Sequence, residues 1–280
     1  MSIVTKDALL ADLARALKST HPERADAMLH ALEPALTDGS PRVAGEPSTP
    51  LQPFPAELAE FATRAAAALT AAFPDRGADL AEQLRMQVAL GRIDRWHAIH
   101  RAEFHQGLNA GATEEQVAEL EKHTGLTLPT AMHALYRWRN GQGGYSSFYS
   151  YNTFMDTQGS AASWQIMHDL IPQFEGDGQT NWWHDGWLSF LENGGGDSIV
   201  LDTLGTFTGT KNQLIEFWHD DSPRNVLFPD LMTWAETFAE SLEKGMWSDD
   251  DGFQLTDEAA YRALVGERAP GHPIDHSADG

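Results

Sequence analysis

The sequence predicts an α+β fold, in which a small antiparallel or mixed sheet flanked by helices follows an all-helical N-terminal region. Two observations carry this prediction. Apolar residues recur at helical spacing through the first hundred residues, with proline breaks between the segments. Beyond residue 110, two helical segments are followed by three short apolar runs, joined by glycine-rich turns, and then by another helical stripe. Helices and strands grouped in this order are typical of α+β domains.

The N-terminal region, residues 1–108, is predicted to contain two helical pairs. Leucine-rich stripes in residues 1–36 predict the first pair, and His21-Pro22 separates its helices. Five prolines in residues 37–55 predict a linker, because proline fixes φ and removes a backbone donor. The second pair begins near residue 55, and Pro74 separates its two stripes. The boundary with the next domain is predicted at 109–112.

The second domain, residues 109–247, is predicted to begin with two helices. Thr113 and Gln116 have the spacing of a capping box, in which each side chain bonds to the backbone of the other residue. Gly125 is predicted to end this helix, and Pro129 suits the first turn of the next one. A shorter helix is predicted over about 160–170, ending at Pro172.

Three strands are predicted from apolar runs at 187–191, 198–201 and 213–218. Glycine-rich turns separate these runs. A helical stripe predicts a long helix over about 229–244. Residues 248–280 are interpreted as a C-terminal acidic segment, a short helix at 257–265 and a polar tail.

The charge of the chain is strongly asymmetric. The 280 residues carry 41 acidic and 19 basic side chains, a net charge of −22. Residues 1–110 contribute −3 of this charge and residues 111–280 contribute −19. A negative field repels nucleic acid and anionic lipid, and it steers a basic partner protein. Solubility alone is the alternative explanation of such a charge.

Several classes of protein are disfavoured by composition. The chain has no cysteine, so disulfides, thiolate metal sites and cysteine nucleophiles are excluded. No apolar run approaches the length of a membrane span, and the N-terminal residues lack the basic and apolar blocks of a secretory signal. A cytoplasmic protein is therefore expected.

Residues 113–244 contain an ordered set of motifs. An acidic, apolar helix precedes Gly125 and Leu128-Pro129, and the following helix ends at Asn140-Gly141. A strand led by Trp187, the turn Gly195-Gly196-Asp197, a strand ending in Asp202, a strand over 214–219 and a helix with an aromatic and apolar stripe follow in order. In this order and spacing the segment resembles the SMI1/KNR4 (SUKH) family. The resemblance does not reach residues 1–110 or 246–280. It assigns structural roles to Asn140, Gly141, Trp187, Gly196, Asp197 and Asp202.

The resemblance implies a function as well as a fold. Bacterial members of the family often act as immunity proteins, which bind and block toxins delivered by contact-dependent or type VI secretion systems, commonly nucleases or deaminases. Fungal members are cell-wall and signalling scaffold proteins. We therefore expect a non-enzymatic protein without a cofactor that binds a basic toxin, with a KNR4-type regulatory scaffold as the alternative. An acidic surface fits a nuclease partner, whose active cleft must attract phosphate.

The candidate partner-binding residues are acidic or aromatic and lie in predicted loops or beside strands. They are Trp182, Trp183, His184, Asp185, Glu216, His219, Asp220, Asp221, Asp249, Asp250 and Asp251. Clustered tryptophans suit an interface because each ring buries much area with little loss of entropy. Burial of these indoles in the core, and solvation of the aspartates as loop ends, are the alternatives. Trp187 is interpreted as a core residue of its strand.

Two groups of residues leave a metal-dependent enzyme open as a third hypothesis. Asp197 and Asp202 flank one strand and could act as paired carboxylates or metal ligands, although such aspartates more often cap turns. His97, His100 and Glu103 could lie on one helical face and bind a metal. Without an HExxH pattern, a surface stripe is the favoured interpretation of these three residues.

Overall fold

A computed structural model describes residues 3–36, 52–176, 182–221, 223–250 and 252–276, so most of the predicted linker lies outside the described residues. The helices are α1 (Lys6–Thr20), α2 (Ala25–Leu32), α3 (Leu58–Ala72), α4 (Gly77–His100), α5 (Ala102–Gln106), α6 (Glu114–Thr124), α7 (Thr130–Trp138), α8 (Thr157–Gly176), α9 (Leu231–Glu243) and α10 (Glu258–Arg268). The strands are β1 (Thr153–Phe154), β2 (Trp187–Glu192), β3 (Ser198–Asp202), β4 (Gln213–Phe217), β5 (Val226–Phe228), β6 (Trp247–Ser248) and β7 (Gln254–Leu255).

The predicted α+β order is confirmed. Helices precede a five-stranded antiparallel sheet with the strand order β1-β2-β3-β4-β5. The capping box at the start of α6 is present, since the Thr113 hydroxyl accepts from the Gln116 amide at 3.2 Å and the Gln116 side chain accepts from the Thr113 amide at 2.8 Å. Gly125 ends α6 with φ of 70°, a left-handed value that glycine adopts without steric cost.

The predicted end of the third helix in this domain, at Pro172, is wrong. Helix α8 continues through Pro172 to Gly176. The added turn carries Phe174, whose ring stacks on Trp182 with 3.7 Å between ring centroids and 10° between ring planes. We attribute the continuation to this packing, which offsets the cost of a proline inside a helix.

Contacts divide the chain into two compact units, and neither unit is one continuous stretch. Unit 1 comprises Met1–Ala112 and Pro129–Arg139, and unit 2 comprises Thr113–Leu128 and Asn140–Gly280. Helix α7 is thus grouped with the N-terminal helices, although it is consecutive in sequence with the second predicted domain. The boundary placed at residues 108/109 from sequence remains a prediction.

Unit 1 packs its helices around an aliphatic core. Leu13, Leu17 and Leu69 are among the side chains with no exposed surface. This unit also buries Asp94, which accepts hydrogen bonds from the Arg139 guanidinium at 2.8 Å and from the Trp138 indole at 3.2 Å. The imidazole of His105 lies 3.1 Å from the other carboxylate oxygen of Asp94. A buried carboxylate needs such partners to offset its loss of hydration.

Unit 2 has its sheet between helices. On one face, Trp187, Val200 and Ile215 pack with apolar side chains of α8. On the other face, Phe190 meets Trp234 of α9, with 5.7 Å between ring centroids. Both faces of the strands are covered, so almost every residue of β2, β3 and β4 is buried.

The C-terminal segment packs on this domain. Strands β6 and β7 pair as a small hairpin, and an ion pair between Arg268 of α10 and Glu240 joins α10 to α9. Beyond α10, Ile274 forms two backbone hydrogen bonds with Val226 of β5. Among the described residues, no helix combines the length and the apolar character that crossing a bilayer requires.

Candidate partner-binding site

Three predicted site residues meet at one end of the sheet: Asp197, His219 and Asp220. Together with Asp221, the next residue of the loop, we call them the acidic loop cluster. Ser198, the first residue of β3, pairs with Phe217, the last residue of β4. The turn before β3 and the loop after β4 therefore lie side by side. Asp197 accepts hydrogen bonds from the backbone amide of His219 at 3.0 Å and from its Nδ1 at 2.8 Å.

The turn before β3 explains why Asp197 reaches His219. The Asn193 side-chain oxygen accepts hydrogen bonds from the amides of Gly195 and Asp197, at 2.7 Å and 3.2 Å. Gly196 has φ of 109°, and a Cβ there would lie 2.9 Å from the His219 ring. Only glycine combines this backbone with the close approach of the imidazole.

Electrostatics within the acidic loop cluster favour a charged pair. The hydrogen bond to Asp197 raises the pKa of His219, and the charge of Asp220 acts in the same direction. Partial burial opposes ionisation of Asp197, but the hydrogen bonds from His219 and Asn193 prevail and lower the pKa of this carboxyl. The Asp220 side chain is 74% exposed, and Asp221 is also exposed. Three carboxylates against one imidazole leave the cluster negative.

A buried arginine holds the loop that carries the acidic loop cluster. Arg224 is 1% exposed, and its guanidinium donates to the backbone carbonyls of Trp218, Asp221 and Trp182 at 3.0, 2.6 and 3.3 Å. It also lies 4.5 Å from the centroid of the Phe217 ring, where a cation–π contact is favourable. Burial lowers the pKa of Arg224 to about 10, so it remains charged at neutral pH. The loop therefore folds around a cation while its carboxylates face solvent.

The prediction that Trp182 and Trp183 lie on the contact surface is wrong, because both residues are buried. Their side chains are 5% and 4% exposed and belong to the apolar cluster between the sheet and α8. The Trp182 indole donates to the carbonyl of His219 at 3.1 Å, so this ring supports the acidic loop cluster from within. Trp182 is covered by Phe174 from the part of α8 beyond Pro172, and Trp183 packs against Trp187 and Phe217 of the sheet. Apolar periodicity did not reveal these contacts.

The other predicted contact residues are described by contacts with different neighbours. Asp185 is exposed, and its carboxylate lies 3.1 Å from Nδ1 of His168 on α8. His184 is half-buried with its ring centroid 4.9 Å from that of Trp187, and burial lowers the pKa of this imidazole. Glu216 is half-buried on β4, with its amide bonded to the carbonyl of Asn225.

A second acidic turn lies between β6 and β7. Asp249 and Asp250 are exposed there, and the Ser248 hydroxyl donates to Asp250 at 2.7 Å. Asp251, the third predicted residue of this turn, falls outside the described residues.

The family motif residues shape backbone turns. Asn140 accepts from the Thr157 amide at 2.8 Å. Gly141 has φ of 74°, and a Cβ there would lie 2.5 Å from the Asp156 amide nitrogen. Trp187 is fully buried, and its indole donates to the Thr206 hydroxyl at 3.2 Å.

Asp202 organises the turn that follows β3. It has no exposed surface, and its carboxylate accepts from the amides of Leu204, Gly205 and Thr206, from the Thr206 hydroxyl and from the Gln213 side chain. Asp197 and Asp202 lie at opposite ends of β3. They are therefore not paired carboxylates, and each one shapes its own turn.

Two arrangements bear on metal binding. Among the described residues, Asp197, His219 and Asp220 form a group that could hold a metal ion, because their potential ligand atoms all lie within 4.8 Å of one another. These side chains are half-buried to exposed, and Asp197 is already engaged by His219 and Asn193. The predicted surface stripe of histidines is wrong for His97, which is fully buried in unit 1 beside Phe104, with 5.0 Å between ring centroids.

Comparison with protein families agrees with the motifs. Residues 111–237 match the SMI1 / KNR4 family (SUKH-1). The match covers less than half of the chain and includes the acidic loop cluster and the turns around Gly141 and Asp202. No curated protein shows significant similarity to the chain.

Proposed function

Because residues 111–237 match the SMI1/KNR4 (SUKH-1) family, we propose that the chain is a non-enzymatic immunity protein. It neutralises a bacterial toxin, of the nuclease-like type delivered by contact-dependent or type VI secretion, through direct binding. The acidic loop cluster is the observation that carries this proposal. The carboxylates of Asp220 and Asp221 are exposed on a loop that the buried Arg224 holds, and they belong to a region with a net charge of −19.

The chemistry of the cluster suits a basic protein partner. Exposed carboxylates at the rim of an interface accelerate encounter with a positive surface and align it, while contributing little affinity individually. A nuclease presents such a surface where it binds phosphate. Nucleic acid and membranes are not partners in this proposal, because the same field repels phosphate groups.

Rescue of growth tests the proposed function directly. The chain is co-expressed with the toxin gene that neighbours its own gene, and growth and co-purification are measured. We expect rescue and a stable complex. If the chain neither restores growth nor co-purifies with that toxin, the proposal is refuted. Recovery of housekeeping proteins in its place would favour the KNR4-type scaffold.

Matched variants locate the contact. Asp220→Asn together with Asp221→Asn removes two charges from the acidic loop cluster, and Glu114→Gln together with Glu119→Gln removes two from exposed positions on α6. We expect the first pair to slow association with the toxin by about 3- to 10-fold at low salt and the second pair to change it little. The difference should shrink at high salt, because exposed charges are screened. Equal effects of the two pairs would place the interface elsewhere.

A further inference from the structure

A surface pocket of about 280 Å³ lies in unit 2, and we call it the tyrosine pocket. Its lining is mostly aromatic or aliphatic and comprises Tyr149, Ser150, Tyr151, Leu227, Phe228, Leu255, Glu258, Tyr261, Arg262, Val265 and Pro273. This volume is close to the lower end of the range for small-molecule pockets, roughly 300–1,000 Å³. It is sufficient for one large aromatic side chain.

The backbone at the mouth of the tyrosine pocket is strained. Ser150 and Tyr151 form a two-residue hairpin turn with φ of 46° and 68°, and backbone hydrogen bonds between Tyr149 and Asn152 close it. Asparagine and glycine normally occupy such a turn, because left-handed φ values are costly for bulky residues. The turn nevertheless holds Tyr151 at the pocket with 66% of its side chain exposed. The Tyr151 hydroxyl donates to the Gln254 side chain on β7 at 2.9 Å, which fixes the ring beside the pocket.

The floor of the tyrosine pocket offers hydrogen bonds. The hydroxyls of Tyr149 and Tyr261 lie 2.6 Å apart. Burial raises the pKa of Tyr149 to about 12 and that of Tyr261 well above its usual value, so both phenols are neutral. One hydroxyl proton is used within the pair, and Tyr149 also interacts with the Trp234 side chain, so one hydroxyl proton remains as a donor. A Trp or Tyr side chain, which has a polar tip on an apolar ring, matches this floor better than Phe does.

Charges around the tyrosine pocket favour a positive partner. Glu258 and Arg262 lie one turn apart on α10 and offset each other. The charge of Glu216 reaches Tyr149, where it adds to the effect of burial on the phenol pKa. Glu216 is therefore the charge left without a counterpart at the pocket, and residues 111–280, which form most of the surrounding unit, carry a net charge of −19.

We propose that the tyrosine pocket receives one Trp or Tyr side chain from a positively charged segment of the partner protein. The pocket then provides the buried anchor of the interface, and the surrounding carboxylates meet the basic residues that flank the inserted ring. The identity of the partner as a basic toxin rests on the proposed function. The preference of the pocket for a cationic aromatic group does not rest on the proposed function, and it can be measured without the partner.

Two small probes with the same ring and opposite charge test the pocket. Tryptamine and indole-3-acetate are titrated into the full chain, and methyl NMR signals of Leu227, Leu255 and Val265 are followed. We expect tryptamine to shift these signals and to bind at least about fivefold more tightly than indole-3-acetate, as expected for charges at a partly desolvated rim. Absence of shifts with tryptamine overturns the proposal, as does equal binding of both probes.

Variants separate the contributions of ring and charge. Tyr151→Gly removes the aromatic wall and the hydrogen bond to Gln254, and it relieves the left-handed backbone. We expect weaker tryptamine binding by a chain that remains folded, which circular dichroism checks. Glu258→Gln should reduce the preference for tryptamine, whereas Glu267→Gln on the same helix should preserve it. Unchanged tryptamine affinity in Tyr151→Gly, or the same effect from both glutamate variants, overturns the proposal.

The toxin experiment and the probe experiment fail independently. If the chain binds tryptamine in the pocket but does not neutralise the neighbouring toxin, the proposed function is wrong and the pocket preference stands. If neutralisation occurs and Tyr151→Gly leaves toxin affinity unchanged, the pocket is not the anchor of that interface.

Discussion

Replacing Asp202 by alanine tests how the turn after β3 is stabilised. The buried carboxylate accepts three hydrogen bonds from backbone amides and two from side chains, at 2.5 to 3.2 Å. A hydrogen bond to a charged group contributes about 1.5–3 kcal/mol, so five of them set a gross upper limit of roughly 7–15 kcal/mol. Water entering the vacated space and relaxation of the turn recover much of this energy. We expect a net loss of about 3–5 kcal/mol, because each buried donor that stays without an acceptor costs about 1–3 kcal/mol.

Urea unfolding followed by tryptophan fluorescence measures this loss. The matched control is Asp257→Ala, which removes a carboxylate that accepts a single bond, from the Ala260 amide at 2.9 Å, at the exposed start of α10. Loss of a helix cap costs about 1 kcal/mol. Asp202→Asn keeps the size of the side chain and one oxygen acceptor, so it should fall between the two. If Asp202→Ala costs no more than Asp257→Ala, the carboxylate does not organise the turn and our reasoning is refuted.

Three further predictions concern single side chains. Gly196→Ala should break the contact that orients His219, and an NMR titration should show the pKa of this imidazole returning towards its ordinary value. Gly194→Ala is the control, because Gly194 also has positive φ but open space around it, and it should leave the pKa of His219 unchanged. His97 is held neutral by burial, which lowers its pKa, so the unfolding free energy should fall below about pH 6.5 by up to about 1.4 kcal/mol per pH unit, and His97→Gln should flatten this dependence in urea titrations. Arg224→Lys retains the charge but not the several carbonyl contacts, so amide hydrogen exchange in the loop after β4 should accelerate. Unchanged exchange would contradict that role.

The lowered pKa of His97 makes the folded protein less stable in acid. Because burial disfavours the charged imidazole, the unfolded chain binds more protons than the folded chain below about pH 6.5. The stability is therefore present above that pH and is lost as the pH falls. Arg101, His105 and His100 reinforce the lowered pKa of His97, and Asp94 opposes it.

Local patterns predicted the helices and the central strands well. The capping box at Thr113 and the left-handed Gly125 depend on residues within one turn, so their geometry can be worked out from spacing alone. Strands β2, β3 and β4 are apolar runs bounded by glycine-rich turns. The short strands β1 and β5 were not predicted, because two or three residues carry no measurable periodicity and pair only through the rest of the sheet.

The parts that sequence reasoning missed depend on contacts between distant segments. Proline normally ends a helix, yet the stacking of Phe174 on Trp182 comes from a segment beyond α8. Because of the same contact, Trp182 is a core residue, although the sequence predicted it at the surface. The tyrosine pocket was also missed, since Tyr149 and Tyr261 are more than a hundred residues apart. A left-handed turn at Ser150 has no glycine or asparagine to signal it.

Strand β5 is the last strand of the sheet, and its outer edge is covered by the C-terminal segment through two backbone hydrogen bonds between Val226 and Ile274. Such an edge would otherwise be a template for strand addition by a second molecule. An affinity tag or a truncation near residue 276 therefore acts on the sheet itself, and self-association produced by that change would reflect an uncovered strand. For biochemical work, fusion at the N-terminus leaves this cover untouched.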